Sequence, residues 1–294
     1  MLLKRVLSDG PAGFRRGHRP AGLLVVALIL AGVGVAAATA SPSPAPASHP
    51  VAHSVPPIYA LVYTRAPADE RIAAAQRKLI TACVAAAGFT YRAAPNADAA
   101  DAADSPHPFG LESAEQPLAA SAQEPVENAQ GYSQALYGDP KRTVTAKGAT
   151  LSVSAPQEGC LADAERRLLG EGRVRWMQLH ILFFEAEGTA RDRLDADAAF
   201  RAVNDRWQQC MREAGIAAQD PRSLLKSVPS GADVAADPTI RADLRCKERT
   251  GYLVPAYDRL TEMQRQVLAG DPALVPDWTS LRTKQDEAAL RILG

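Results

Sequence analysis

The sequence predicts a mainly α protein: an irregular helical domain with one small β-hairpin, stapled by disulfides. Three observations predict it. Apolar residues recur at helical spacing in several segments, most of them closed by glycine. A helical Cys-x4-Gly pattern occurs twice, as Ile80, Cys83, Val84, Ala87, Gly88, Phe89 and as Trp207, Cys210, Met211, Ala214, Gly215, Ile216. All 4 cysteines follow a basic and then apolar N-terminal stretch of the kind that directs export.

Lys4, Arg5, Arg15, Arg16 and Arg19 precede an apolar run over residues 21–40. By the positive-inside rule, residues 1–20 are a cytoplasmic basic region and the chain beyond the run lies outside. The run suits two roles. About 20 apolar residues span a bilayer, as a transmembrane anchor would; Ala38, Thr39 and Ala40 form the small-x-small pattern of a cleaved signal peptide. Residues 41–60 read as a Pro/Ala/Ser-rich linker in which His49 and His53 are solvated. Residues 61–294 then form an extracytoplasmic, mainly helical domain with a loop-rich insertion at 90–141.

The first helix of that domain is expected from Pro67 to Ala87. Proline suits its first turn, Asp69 and Glu70 complement its positive end, and Gly88 suits a left-handed cap. Between Thr90 and Gly131 the chain is rich in Ala, Asp, Pro, Ser and Glu and reads as loop, with Pro108, Phe109, Gly110 and Leu111 as an apolar island able to pin it to the body. Alternation from Arg142 to Ala155 predicts a hairpin turning near Lys147 and Gly148. A lone hairpin is marginal in water, so it needs a helix to pack on. Gly159 and Cys160 open a second helix, closed by Gly170 and Gly172. Val174 to Glu187 is a central core helix, too short and too closely flanked by charge to be a membrane span. A further helix is expected over 195–214, then, after a polar loop, one leading from Leu244 and Cys246 through Val267, and a last one marked by Trp278, Leu281, Ala288 and Ile292.

Four cysteines permit three pairings. In each half, one cysteine lies near a glycine-capped helix end and the next lies at the expected start of a following helix, so Cys83 with Cys160 and Cys210 with Cys246 is the expected frame. Metal or redox chemistry at these thiols lacks a Cys-x-x-Cys pair or a suitably spaced histidine. The repeat, the Pro108 to Leu111 island, the hairpin and the Gly159, Cys160 helix start resemble a group of exported actinobacterial proteins of unknown function over roughly Ala68 to Leu260. Val84 stands where methionine commonly follows the first cysteine of that group. The resemblance implies localisation and fold, and no catalytic residue or ligand.

Lysine plus arginine equals aspartate plus glutamate at 33 each, which leaves no basic field for nucleic acid. No nucleophile elbow, phosphate loop, dinucleotide fingerprint or zinc helix follows the apolar run, so neither a catalytic residue, nor a metal, nor a cofactor is assigned. Asp192, Asp195 and Asp197 suggest paired carboxylates but read as helix-start acids. His180 reads as a boundary histidine, and Trp176, Trp207 and Trp278 as core. Arg166, Arg167, Arg173 and Arg175 form a local basic cluster that either contacts a polyanion or forms a solvated face paired to Glu165 and Glu171. The expected function is that of a non-enzymatic cell-envelope protein binding a protein or wall polymer, held to the membrane through residues 21–40 if these are uncleaved; the alternative is an exported hydrolase using carboxylates.

Overall fold

A computed structural model describes residues 53–91, 107–113, 131–227 and 236–294; the basic region, the apolar run and most of the linker lie outside the described residues, as does much of the loop-rich insertion. Ten α-helices and one hairpin make up the described chain. Among the described residues no helix is long and apolar enough to cross a membrane.

The twice-occurring cysteine pattern is one local structure made twice. Helix α1 (Pro57–Val62) precedes α2 (Pro67–Ala86), which starts on Pro67 with Asp69 accepting from the Ala66 N–H at 2.7 Å. At its end Gly88 takes φ 85° and lets Phe89 N–H reach back to the Val84 carbonyl at 3.1 Å, while Gly88 N–H bonds Ala85. The second copy ends identically: Gly215 has φ 76°, Ile216 N–H bonds Met211 at 2.9 Å and Gly215 N–H bonds Arg212. These are Schellman caps, in which the residue after glycine packs against the one three from the helix end. Val84 and Met211 are both fully buried, so valine fills the same apolar role as methionine.

Two loop-rich stretches are more ordered than expected. Residues 132–137 within the insertion form α3 (Tyr132–Tyr137), burying Tyr132 and Leu136 against Ile80, Val84 and Cys160. His53 to Pro57, assigned to the linker, is already part of the body: Ile58 and Tyr59 are buried in the main core, and His53 stacks on Tyr257 at 3.5 Å. A proline-rich composition hid both an apolar pair and a short helix.

The hairpin pairs β1 (Thr143–Lys147) with β2 (Ser152–Pro156) in antiparallel register, Thr143 opposite Pro156 and Lys147 opposite Ser152. It packs on the central helix, as expected, and the contact is specific. Glu185 accepts from the backbone of Ala149, Thr150 and Leu151 and from the Thr150 hydroxyl at 2.6–2.8 Å, so a helix carboxylate caps the turn. Burial pushes the Glu185 carboxyl up, but these four bonds outweigh it and hold the group below the usual glutamate range. Beyond the hairpin, Gly138 and Gly159 meet back to back; a Cβ on Gly138 would lie 2.6 Å from the Glu158 carbonyl, and one on Gly159 2.5 Å from the Gly138 nitrogen. That approach delivers Cys160 to the start of α4 (Cys160–Leu169).

The central helix, α5 (Arg173–Ala196), runs well past the expected Glu187 because Gly188 is tolerated within it. Only Asp197 then caps the next helix, α6 (Ala198–Glu213), accepting from Phe200 N–H at 2.8 Å. Asp192 and Asp195 sit in the last turns of α5, not at a helix start. A short helix, α7 (Pro221–Ser227), follows within the expected polar loop; α8 (Pro238–Thr250), α9 (Leu253–Ala269) and α10 (Leu274–Leu293) complete the chain. Cys246 therefore lies late in α8, whose start is fixed by Asp237 as N-cap and Pro238.

The largest core gathers α1, α5, α6, α8 and α9 around Trp207, Leu179, Phe183 and Leu260. A smaller one joins α2, α3 and α4, and a third packs Ile72, Ala75 and Leu168 on Ala288 and Ala289 of α10. The first two each have their own staple, since the bonds are Cys210–Cys246 and Cys83–Cys160, with no free cysteine. With separations of 36 and 77 residues, the loop-closure argument assigns about 4 and about 4.5 kcal/mol respectively. We expect Cys83→Ala/Cys160→Ala to cost slightly more than Cys210→Ala/Cys246→Ala in urea unfolding of the oxidised protein. Equal retention of the wild-type midpoint by both variants would refute the entropic assignment.

Candidate functional site

The apolar island is the best-anchored loop of the described chain. Lys247, on α8, is 3% exposed and donates to the Leu111 carbonyl and to Asp243 at 2.5 and 2.7 Å. Asp243, equally buried, also accepts from the Trp207 indole at 3.0 Å. Burial pushes the Asp243 carboxyl up and the Lys247 ammonium down, and each partner opposes that push in the other. Gly110 makes the seating possible: at φ 72° its absent Cβ leaves room for the Pro221 carbonyl, which would otherwise lie 2.8 Å away. Phe109 then enters between Phe200, Tyr252 and Tyr257 with ring centroids 5.1–5.8 Å apart.

The residue that follows the island, Glu112, secures the N-terminal strap. Glu112 accepts from the Tyr257 hydroxyl and pairs with His53 Nε2 at 3.0 Å. Beside it Glu187, in α5, accepts from Tyr59 and Tyr63 at 3.1 and 3.2 Å and pairs with Arg191. Burial raises the Tyr59 and Tyr257 phenols far above their usual range, so both remain donors.

Once seated, the island walls a cleft of about 230 Å³. Phe109, Leu194, Phe200 and Leu260 give it an apolar floor. Its rim is charged in both signs: Arg191 and Asp195 from the end of α5, Arg201 from α6, and Asp220 and Arg222 from the start of α7. Asp220 is committed to capping, accepting from the Ser223 N–H and hydroxyl. Arg191 is committed to Glu187. Arg201, Arg222 and Asp195, by contrast, make no hydrogen bond or ion pair among the described residues. Partial burial raises the Asp195 carboxyl; Arg222 opposes the rise, while Asp220 and Asp192 reinforce it.

The arginines singled out from the sequence do not form one open patch. Arg173 is buried and bonds Glu165 and the Pro156 carbonyl; Arg175 crosses to Asp277 on α10. Arg166 and Arg167 remain outward, and both pair with Asp163. Glu165 is thus a partner, as expected, and no ion pair joins any of the four to Glu171 among the described residues. His180 stands edge-on to Trp176 and Trp278, which stack at 4.5 Å, away from the cleft, while Trp207 is wholly internal. Among the described residues no three His, Cys, Asp or Glu side chains gather as a metal site. A larger, open groove of about 500 Å³ runs along α9 past Ser54, Asp258 and Arg265. Of the cleft's charged residues the sequence drew attention only to Asp195; Asp220, Pro221 and Ser223 carried a helix-start signal that marks where α7 begins.

No known protein family, curated protein or solved structure matches this chain.

Lys247→Met leaves Asp243 buried without its counter-charge, and we expect a loss of about 3–5 kcal/mol in chemical denaturation. Adding Asp243→Asn, which keeps an acceptor for Trp207, is expected to restore part of it; a double variant no better than the single one contradicts the charge argument. At Asp195 the sign runs the other way. A carboxyl whose pKa is raised on folding contributes stability below its unfolded pKa and loses it as pH rises through its folded pKa. Asp195→Asn is therefore expected to stabilise the protein at neutral pH and to make no difference near pH 3, measured by denaturation at both.

Proposed function

We propose that the protein is an extracytoplasmic, non-enzymatic cell-envelope domain that binds a wall-derived or protein-derived ligand in the cleft beside the island. The observation that carries this reading is the gathering of Arg201, Arg222 and Asp195, none of them in a hydrogen bond or ion pair among the described residues, beside apolar side chains in a cleft whose wall is fixed by a buried ion pair. Binding sites are concavities of mixed apolar and polar lining held by a rigid frame, and charged side chains that make no bond within the protein keep their bonding capacity for a ligand there. The two disulfides support an oxidising compartment. The basic residues and the apolar run over 21–40 support either secretion or a membrane anchor, and the balanced charge disfavours nucleic acid. An outer contact with wall polymer through Arg166 and Arg167 remains compatible with their exposure.

A carboxylate hydrolase is the second reading, favoured by one observation: Asp195, raised, faces Asp220 in the same cleft. Against it, Asp220 already accepts two bonds from Ser223, and His180 lies elsewhere.

The full-length protein, purified from its own envelope, is expected to show a raised melting temperature in enzymatically solubilised wall fragments, an effect lost in Arg222→Ala, with the fragments recovered intact. No thermal shift overturns the wall-ligand reading; fragments shortened by wild type but not by Asp195→Asn establish the hydrolase instead.

A further inference from the structure

Resting on the reading of the cleft as a binding site, we propose that its ligand is zwitterionic and of amino-acid type, with its ammonium at Asp195, its carboxylate at Arg201 and Arg222, and its side chain on Phe109 and Phe200. Size restricts the ligand first. A cleft of about 230 Å³ falls below the range of pockets that take drug-sized molecules, so the recognised part is small.

Charge restricts it further. A simple anion placed against Arg201 and Arg222 draws on the Arg222 charge that favours the Asp195 carboxylate and adds a negative group beside Asp195, which Asp220 and Asp192 already repel. A simple cation at Asp195 leaves Arg201 and Arg222 unanswered. A ligand carrying both charges offers a bonding partner to all three groups together. Its ammonium adds to the Arg222 charge in favouring the Asp195 carboxylate against partial burial. Of the uncharged lining, Phe109, Leu194, Phe200 and Leu260 offer apolar surface beside Asn204, Gln219 and Tyr252, and the apolar part suits a hydrocarbon side chain.

This chemistry has two sources in an envelope: a free amino acid, or a residue linked to a peptide through its side chain, which keeps the same zwitterion. Calorimetric titration of the full-length protein with norleucine, N-acetylnorleucine and norleucinamide tests the charges. The two derivatives are expected to bind at least about tenfold more weakly than norleucine, since each leaves one protein charge unanswered. Asp195→Asn is expected to erase the discrimination against the N-acetyl compound, and Arg201→Ala the discrimination against the amide; both residues lie at the rim, and circular dichroism checks that the fold is kept. Nε-acetyllysine, compared with norleucine, separates the sources: tighter binding of the former supports a side-chain-linked residue, and tighter binding of the latter supports the free amino acid. Equal binding of norleucine and N-acetylnorleucine overturns the zwitterion. If no probe binds while wall fragments still raise the melting temperature, this proposal fails and the binding reading stands; if neither acts, both fail.

Discussion

An ammonium group shut inside a helical core has to be answered by a charge and by oxygen acceptors, or the burial is not sustained. Lys247 meets that demand with Asp243, one helical turn away, and with a carbonyl from far off in the chain, that of Leu111. Because the acceptor belongs to a loop, satisfying the lysine fixes the loop. Everything at this end of the molecule then follows in order. Phe109 enters the aromatic group, Gly110 fits against Pro221, and Glu112 arrives within reach of Tyr257 and His53. The cleft exists because its wall is held this way; without the ion pair the island would be a loop tip with an apolar residue to hide.

Stability is distributed differently across the rest. Both cysteine helices end in the same glycine cap, and both first cysteines stand one residue before the buried side chain that packs under that cap. A Schellman cap fixes the direction in which the chain leaves, and a disulfide just before it fixes which neighbour the helix end meets. The combination suits a chain whose apolar content is 47% but whose aromatic share is 5%, since alanine-rich helices bury little area apiece. Helices α5 and α10 connect the stapled halves, α5 by also carrying the carboxylate that closes the hairpin turn.

Several charges near the helix interfaces are matched: Arg71 with Asp286, Arg259 with Asp197, Arg173 with Glu165, Arg191 with Glu187. At the cleft, Arg201, Arg222 and Asp195 make no hydrogen bond or ion pair among the described residues, and Arg222 acts on Asp195 only through its charge. What sets the cleft apart is that both signs of charge meet apolar side chains in one concavity.

By itself the sequence determined what short-range chemistry decides. The helix-Cys-x4-Gly repeat became two equal caps, the alternating segment became the hairpin, and the cysteines pair in sequential order, although Cys246 lies late in its helix and not at a helix start. Each depends on neighbours within a turn or two, or on one strong covalent preference. Composition misled where few apolar residues were set in a polar stretch, as at Ile58, Tyr59, Tyr132 and Leu136, because burial depends on what lies across the core and not on the local average. The same reason hid the cleft. Along the chain Asp195 reads as a helix-start acid and Arg201 and Arg222 carry no signal; only the packing of α5, α6 and α7 against an island held by Lys247 brings them to one rim. Charge patterns within a segment are readable along the chain, but the field between segments is set by distances that tertiary structure alone supplies.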